Sequence, residues 1–340
     1  MKTGMRLLLC CFVLSGVAFP TTKYKLTDLG TIPGMGYSVG RAINSSGQMT
    51  GSSGLIDTNT ADVFINSGGQ WEDLGTLGGP SGIGNGINSS GVVAGYSENN
   101  QEQYRAFISS GGTLVDIGDL GGGSAVAYAI NDNGDVVGSA VTKDGSNHPF
   151  LYSKGQMIDL GTLGSPAGND WWNTALGVND SGTVVGYSYD AQGNFFGFVW
   201  SNATMVKMGT LGGPWSQAYA INNNGQVTGI AYTKAGDAHA FITKANGKLK
   251  DLGTLAGTTG TSWGFAINDA GVVVGQSTIK TGDYHAFVYD GKMRKDLNLL
   301  IPKNSGWVLY DARGVNNAGQ IVCSGIKSDG TQHVILLTPQ

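Results

Sequence analysis

Short apolar runs of four to seven residues, each broken by Gly, Asn or Ser, recur from one end of the chain to the other. Runs of this length with turn formers between them predict antiparallel strands rather than helices. One stretch shows the pattern in full: Ala218 to Asn222, Gln226 to Ala231, His239 to Thr243, and Lys248 to Gly253. Four such strands make one unit, and the unit repeats. An Ile-Asn or Val-Asn pair returns with its asparagine at Asn44, Asn88, Asn131, Asn179, Asn222, Asn268 and Asn316, at intervals of 44, 43, 48, 43, 46 and 48 residues. Three positions after each asparagine stands a glycine: Gly47, Gly91, Gly134, Gly182, Gly225, Gly271 and Gly319. An asparagine that opens a tight turn and a glycine that takes its left-handed position let two strands pair at a corner without a steric penalty.

A four-stranded repeat of this length is the size of one propeller blade. The ends of the chain predict how the blades meet. Asp-Leu-Gly-like fourth strands occur at Asp28, Asp73, Asp116, Asp159, Asp251 and Asp296, with Met208-Gly209 in the remaining copy, and the first of them precedes any inner strand. The last unit stops after its third strand, His333 to Leu337. Laying the segment from Tyr24 to Gly30 on that unit completes it. The expected fold is therefore all-β: a seven-bladed β-propeller of four-stranded antiparallel blades, closed by the N-terminal strand, which hides the sheet edges that invite aggregation. Small residues four positions before each asparagine (Gly40, Gly84, Ala127, Ala175, Ala218, Gly264, Ala312) are expected where inner strands crowd the axis.

The combined units Asp251-Leu-Gly-Thr-Leu-Ala-Gly257, Ala266-Ile-Asn268, Val272-Val-Val-Gly275 and His285-Ala-Phe287 resemble the extracellular HAF-repeat family, which takes its name from the last tripeptide. The likeness spans the chain after its first twenty residues. Elsewhere the tripeptide reads Asp62-Val-Phe64, Arg105-Ala-Phe107, His148-Pro-Phe150, Phe196-Gly-Phe198 and His333-Val-Ile335. Cys323 stands where the other copies carry Gly51, Gly95, Gly138, Gly186, Gly229 and Gly275. The resemblance implies export and a repeat architecture. It supplies no catalytic residue and no cofactor.

Export is also expected from residues 1–19. Lys2 and Arg6 precede the apolar run Leu7 to Leu14, followed by Ser15, Gly16 and Ala18, the order of a secretory signal peptide. That run is too short for a bilayer span. Residues 20–340 are then one propeller domain, secreted or periplasmic, with no membrane span after cleavage. Cys10 and Cys11 lie in the leader, so Cys323 is left without an internal disulfide partner.

Composition narrows the function. Of the 340 residues 13% are charged, 57 are glycine, and the net charge of −4 comes without a basic cluster, so nucleic acid is not an expected partner. The four histidines, His148, His239, His285 and His333, share one repeat phase, which keeps them apart on different blades and argues for a structural hydrogen bond rather than a metal site. The repeated aspartates read the same way, as turn and capping residues. The acidic turn from Asn131 to Asp135 is like a calcium loop, yet the other copies carry Ser-Ser, Asp-Ser, Asn-Asn, Asp-Ala and Asn-Ala there. No metal, cofactor or catalytic set is expected.

What varies between copies points elsewhere. Tyr37, Trp171, Trp172, Trp215, Trp263 and Trp307 fall just before successive inner strands, on the end expected to carry the longer loops. Aromatic rings gathered around one mouth would stack on sugars or grip a peptide. The leading expectation is a monomeric, non-catalytic binding module for a carbohydrate or protein ligand, with these six residues as the site. The alternatives are a polymer hydrolase or lyase using Asp170 or Asp311, and a structural envelope or matrix component.

Overall fold

The computed structural model describes residues 23–165, 172–257 and 259–340. The leader expected at residues 1–19, and with it Cys10 and Cys11, lies outside them, as do Asp170 and Trp171. Among the described residues there is no α-helix; the chain is a succession of antiparallel strands. No helix among them is long and apolar enough to cross a membrane.

The strands assemble four at a time. In the stretch read above they are Gly212–Ile221, Val227–Thr233, Ala238–Thr243 and Leu249–Gly253, hydrogen-bonded in chain order. The inner strand begins earlier than the sequence suggested. Its first segment, Gly-Gly-Pro-Trp, has poor strand propensity, and the ladder skips from Gly212 to Ser216 across an irregularity. The strands from Tyr37 to Gly75 and those from Gly78 to Asp116 form two such sets joined by a single parallel bridge, Ala61 to Ser81. The last set mixes the two ends of the chain: Tyr24–Asp28 pairs antiparallel with Gln332–Pro339, Tyr24 opposite Pro339 and Asp28 opposite Ile335.

The core sits between neighbouring sheets. Phe64, Phe107, Phe150, Phe198, Phe241 and Phe287, the last residue of each tripeptide, are almost wholly buried, and Ile335 takes the same place in the last sheet. Each is surrounded by residues of two sheets; Phe287 packs with Val273 and Tyr289 of its own sheet and with Ala240, Ile242 and Leu252 of the one before. This contact also gives the small inner-strand residues their reason. A Cβ on Gly40 would lie 2.4 Å from Val322 Cγ2, and one on Gly84 would lie 2.2 Å from Thr50 Oγ1. Smallness at this position answers the neighbouring sheet, not crowding at the axis.

The asparagine turns hold the sheets to one another. Asn44 Oδ1 accepts from the N–H groups of Ser46 and Gln48, and Gly47 has φ +79, which closes the corner. Its Nδ2 is then free to donate across to the Asn88 carbonyl at 2.9 Å. The same bond runs from Asn88 to Asn131, Asn131 to Asn179, Asn179 to Asn222, Asn222 to Asn268 and Asn268 to Asn316. Asn316 Nδ2 donates to the Asn44 carbonyl at 3.0 Å, back to the first of the series.

Candidate functional site

The residue three positions before each asparagine is the extra one of a bulge in the inner-strand ladder; between Gly40 and Ala42, for example, the register shifts by one. This places Arg41, Asn85, Tyr128, Leu176, Tyr219, Phe265 and Arg313 around a common cavity of about 630 Å³. Tyr96 and Tyr187 join them from second strands, and Tyr104 from the start of a third strand. The volume lies within the range of ordinary small-ligand sites. Farther along the axis Ile43, Ile87, Ile130, Val178, Ile221 and Val315 form an aliphatic waist. Beyond it a second cavity of about 260 Å³ is lined by the asparagine turns and by Asp132, Asp180 and Asp269. In series along the inner strands lie a cationic, aromatic mouth, an apolar ring and a polar, acidic end.

Two guanidinium groups dominate the wide mouth. Arg313 Nε donates to Asp311 Oδ2 at 2.7 Å, and its guanidinium carbon lies 3.9 Å from the centre of the Phe265 ring. Arg41 is largely buried, yet its Nε has no hydrogen-bond partner and it enters no ion pair among the described residues. Burial, and after it the charge of Arg313, lowers the pKa of Arg41 from its ordinary value. Arginine stays charged through any such shift. The phenols of Tyr96, Tyr128, Tyr187 and Tyr219 are raised above their usual value, by burial first of all, and remain neutral hydroxyl donors. Tyr219 donates to Gln217 Oε1. No carboxylate lines this cavity among the described residues.

The tryptophans read from the sequence occupy other places. Inner strands run from the wide mouth towards the asparagine turns, since Val126 and Tyr128 line the mouth and Asn131 follows them. Trp215 and Trp263, at the starts of two inner strands, therefore lie at the wide-mouth end, but neither lines the cavity. Trp215 packs on Tyr232 with ring centres 4.3 Å apart, and Trp263 on Tyr284 at 5.5 Å. Trp172 is 60% exposed. Trp307 is buried, with its ring 5.4 Å from that of His333 and Lys327 over its face, which removes it from the rim. Tyr37 lies along its own sheet, its hydroxyl over Gly54. That end of the molecule carries the longer connections 29–36 and 297–307, but its links between second and third strands are tight turns, such as Thr142 to Ser146.

The other candidates resolve into repeat chemistry. His148, His239, His285 and His333 each place Nδ1 within 2.7–2.9 Å of an aspartate of the same sheet: Asp159, Asp251, Asp296 and Asp28. Those aspartates also accept a backbone N–H two residues on, as Asp251 does from Gly253. Arg105 replaces the histidine in one sheet and bonds to Asp116 and Asp119. In the first sheet Asp62 replaces it beside Asp73, and burial, then the Asp73 charge, raises the Asp62 pKa. Asp311, one of the two acids considered for catalysis, is buried, ion-paired to Arg313 and bonded to the Ser324 N–H.

Sequence reasoning missed the lining of the wide mouth, although one signal was present. After residue 22 the arginines are Arg41, Arg105, Arg294 and Arg313, and two of them, Arg41 and Arg313, stand at the same repeat phase on inner strands.

No family model matches the chain, and no curated protein sequence matches it. Solved structures do. The β-propeller domain of the trilobed protease from Pyrococcus furiosus superposes with a TM-score of 0.62 at 9% identity, over 90% of this chain and 94% of that one. The acylaminoacyl peptidase of Pyrococcus horikoshii gives 0.56 at 10% identity over 91% of this chain and 52% of its own. TolB from Acinetobacter baumannii gives 0.51 at 13% identity over 87% and 64%. The chain thus spans about half the length of the peptidase. The fold is that of a β-propeller. The Pyrococcus furiosus domain is described as having an open velcro topology, whereas here the first and last strands are paired along five residues.

Proposed function

We propose that the chain is an exported, seven-bladed, closed β-propeller that acts as a non-catalytic binding module, with a carbohydrate ligand seated in the wide mouth of its central channel. The observation that carries the reading is the ring of neutral tyrosines, Tyr96, Tyr128, Tyr187 and Tyr219, around a cavity of ligand size. Flat faces stack on pyranose rings and hydroxyls exchange hydrogen bonds with them. Closure is supported by the pairing of Tyr24–Asp28 with Gln332–Pro339 and by the bond from Asn316 to Asn44. Export rests on the leader and on the HAF-repeat resemblance. Trp172, Trp215 and Trp263 are proposed as outer contacts of the same ligand, at the rim.

The peptidases of similar fold make hydrolysis the competing class. The arrangement at Asp311 favours binding, because a carboxylate held by Arg313 and a backbone N–H has no free proton-accepting role. Glycan-array binding of the wild type, repeated with Tyr219→Ala and with Trp215→Ala and Trp263→Ala, tests the proposal. The expected result is binding lost in Tyr219→Ala and weakened in the tryptophan variants. A propeller that binds no glycan, or binds equally well in all four forms, contradicts it.

A further inference from the structure

We infer that the wide mouth selects a ligand that carries a carboxylate, a sugar acid rather than a neutral sugar, with Arg41 as the residue that grips it. The inference deepens the binding reading above and rests on it.

Two cations and one anion meet at this end of the channel: Arg41, Arg313 and Asp311. Arg313 is satisfied twice, by Asp311 and by the Phe265 face. Arg41 is satisfied by neither kind of partner. Its neighbours around the cavity are Asn85, the tyrosines, Val126, Leu176 and Phe265, none of which is anionic. Asp311 is paired with Arg313 on the same strand and its charge also reaches Arg41, while Glu98 is bonded to Tyr104 and its charge also raises the Tyr96 pKa, after burial; neither carboxylate lines the cavity.

A largely buried cation without a partner is destabilising, and one set beside a second cation more so. Packing alone does not explain its retention here. Leu176 fills the equivalent position of another sheet with no charge at all. Between the two arginines and Asp311 the surplus is one positive charge, which a singly charged carboxylate neutralises and a phosphate dianion would overshoot. The planar guanidinium suits a carboxylate, which it binds through two parallel N–H groups. Neutral phenols around it supply stacking faces and hydroxyl groups, and no carboxylate lines the cavity among the described residues. The apolar waist below admits no charged group at low cost, so the carboxylate has to stop at the arginine layer.

The test uses matched probes by titration calorimetry: methyl glucuronoside against methyl glucoside, and a tripeptide with a free C-terminal carboxylate against its amide. The wild type is expected to bind the glucuronoside at least tenfold more tightly than the glucoside. Arg41→Gln is expected to abolish that preference, while its apparent melting temperature holds or rises, because an unpaired buried cation has been removed. Equal affinity for the two sugars, or an undiminished preference in Arg41→Gln, overturns the inference. So does a sharp fall in melting temperature in Arg41→Gln, which would make the residue structural. Preference for the peptide acid over both sugars overturns the sugar assignment. If the glucoside alone binds and Tyr219→Ala abolishes it, the carboxylate inference fails and the binding module stands; if no probe or glycan binds, both fail.

Discussion

Replacing Asn316 with alanine probes the bond that brings the asparagine series back to its start. Asn316 is 5% exposed and makes four contacts through one side chain. Its Nδ2 donates to the Asn44 carbonyl at 3.0 Å and to Gln320 Oε1 at 2.8 Å; its Oδ1 accepts from Ala318 N and Gln320 N at 3.1 and 3.0 Å. Intramolecular hydrogen bonds of this kind contribute roughly 1 kcal/mol each in net terms, and a buried group left without a partner costs 1–3 kcal/mol. Alanine removes one of the two donors to the Asn44 carbonyl, which keeps the Gly47 N–H, and takes the acceptor from the Ala318 and Gln320 N–H groups, so the expected loss is about 3 kcal/mol. With an unfolding entropy near 2 cal/mol/K per residue, a chain of this size should melt about 4–5 °C lower. Asn222→Ala, which removes the equivalent bond to Asn268 in the middle of the series, is the reference. Thermal unfolding followed by circular dichroism should give the two variants shifts equal to within about 1 °C. An Asn316→Ala shift below 1 °C beside a full shift in Asn222→Ala would show that the series does not return to its beginning, and the reasoning would be wrong.

Three further outcomes follow from local geometry. A Cβ on Gly95 would lie 2.0 Å from the Ile83 carbonyl oxygen, so Gly95→Ala should lower the melting temperature by several degrees, whereas Gly209→Ala, with nothing within 4 Å of its Cβ, should leave it unchanged or slightly raised. Burial tends to raise the Asp251 pKa, but bonds from His239 and the Gly253 N–H outweigh it and leave the carboxyl below its usual value. A depressed carboxyl contributes stability above its unfolded pKa and loses it as pH falls through the folded one, so denaturant titrations should show Asp251→Asn weaker than wild type near pH 6 by up to about 1 kcal/mol and equal to it at strongly acidic pH. In the first sheet Asp62 and Asp73 are like charges where other sheets pair a histidine with an aspartate; Asp62→His should therefore raise the melting temperature near pH 6, and a fall would contradict the pairing.

The parts of this molecule that repeat could be read from sequence, because each repeated residue solves the same local problem. The asparagine corner needs an oxygen for two N–H groups and a glycine at positive φ, and both recur at fixed offsets. The tripeptide phenylalanine recurs because every sheet needs one large apolar side chain against the next. The starts of the inner strands were harder: Gly212, Gly213 and Pro214 look like a loop, and only the ladder to Thr233 makes them strand. Six copies need glycine opposite the inner-strand bulge because a carbonyl lies close there, as that of Val39 does to Gly51; Cys323 takes the place in the last sheet, where it pairs with Ala312. The candidate site was hidden for the opposite reason. The position facing the channel reads Arg, Asn, Tyr, Leu, Tyr, Phe and Arg around the molecule, and a search for similarity passes over it. Tryptophans drew attention as large aromatic residues, but a large ring at the edge of a sheet also finds partners there, as Trp307 does with His333.

A shared mouth exists only where the first and last strands lie side by side, and a cross-link between them tests that most directly. Lys25 and Thr338 are direct partners in the antiparallel pair, where opposed Cα atoms stand about 4.5–5.5 Å apart, within reach of a disulfide. In a background with Cys10 and Cys11 replaced by serine, the remaining Cys323 is buried and does not compete. Lys25→Cys with Thr338→Cys should oxidise quantitatively to an intramolecular disulfide in dilute solution, read as a loss of two thiols by intact mass. Two free thiols after oxidation, or disulfides only between molecules, would contradict the closed propeller.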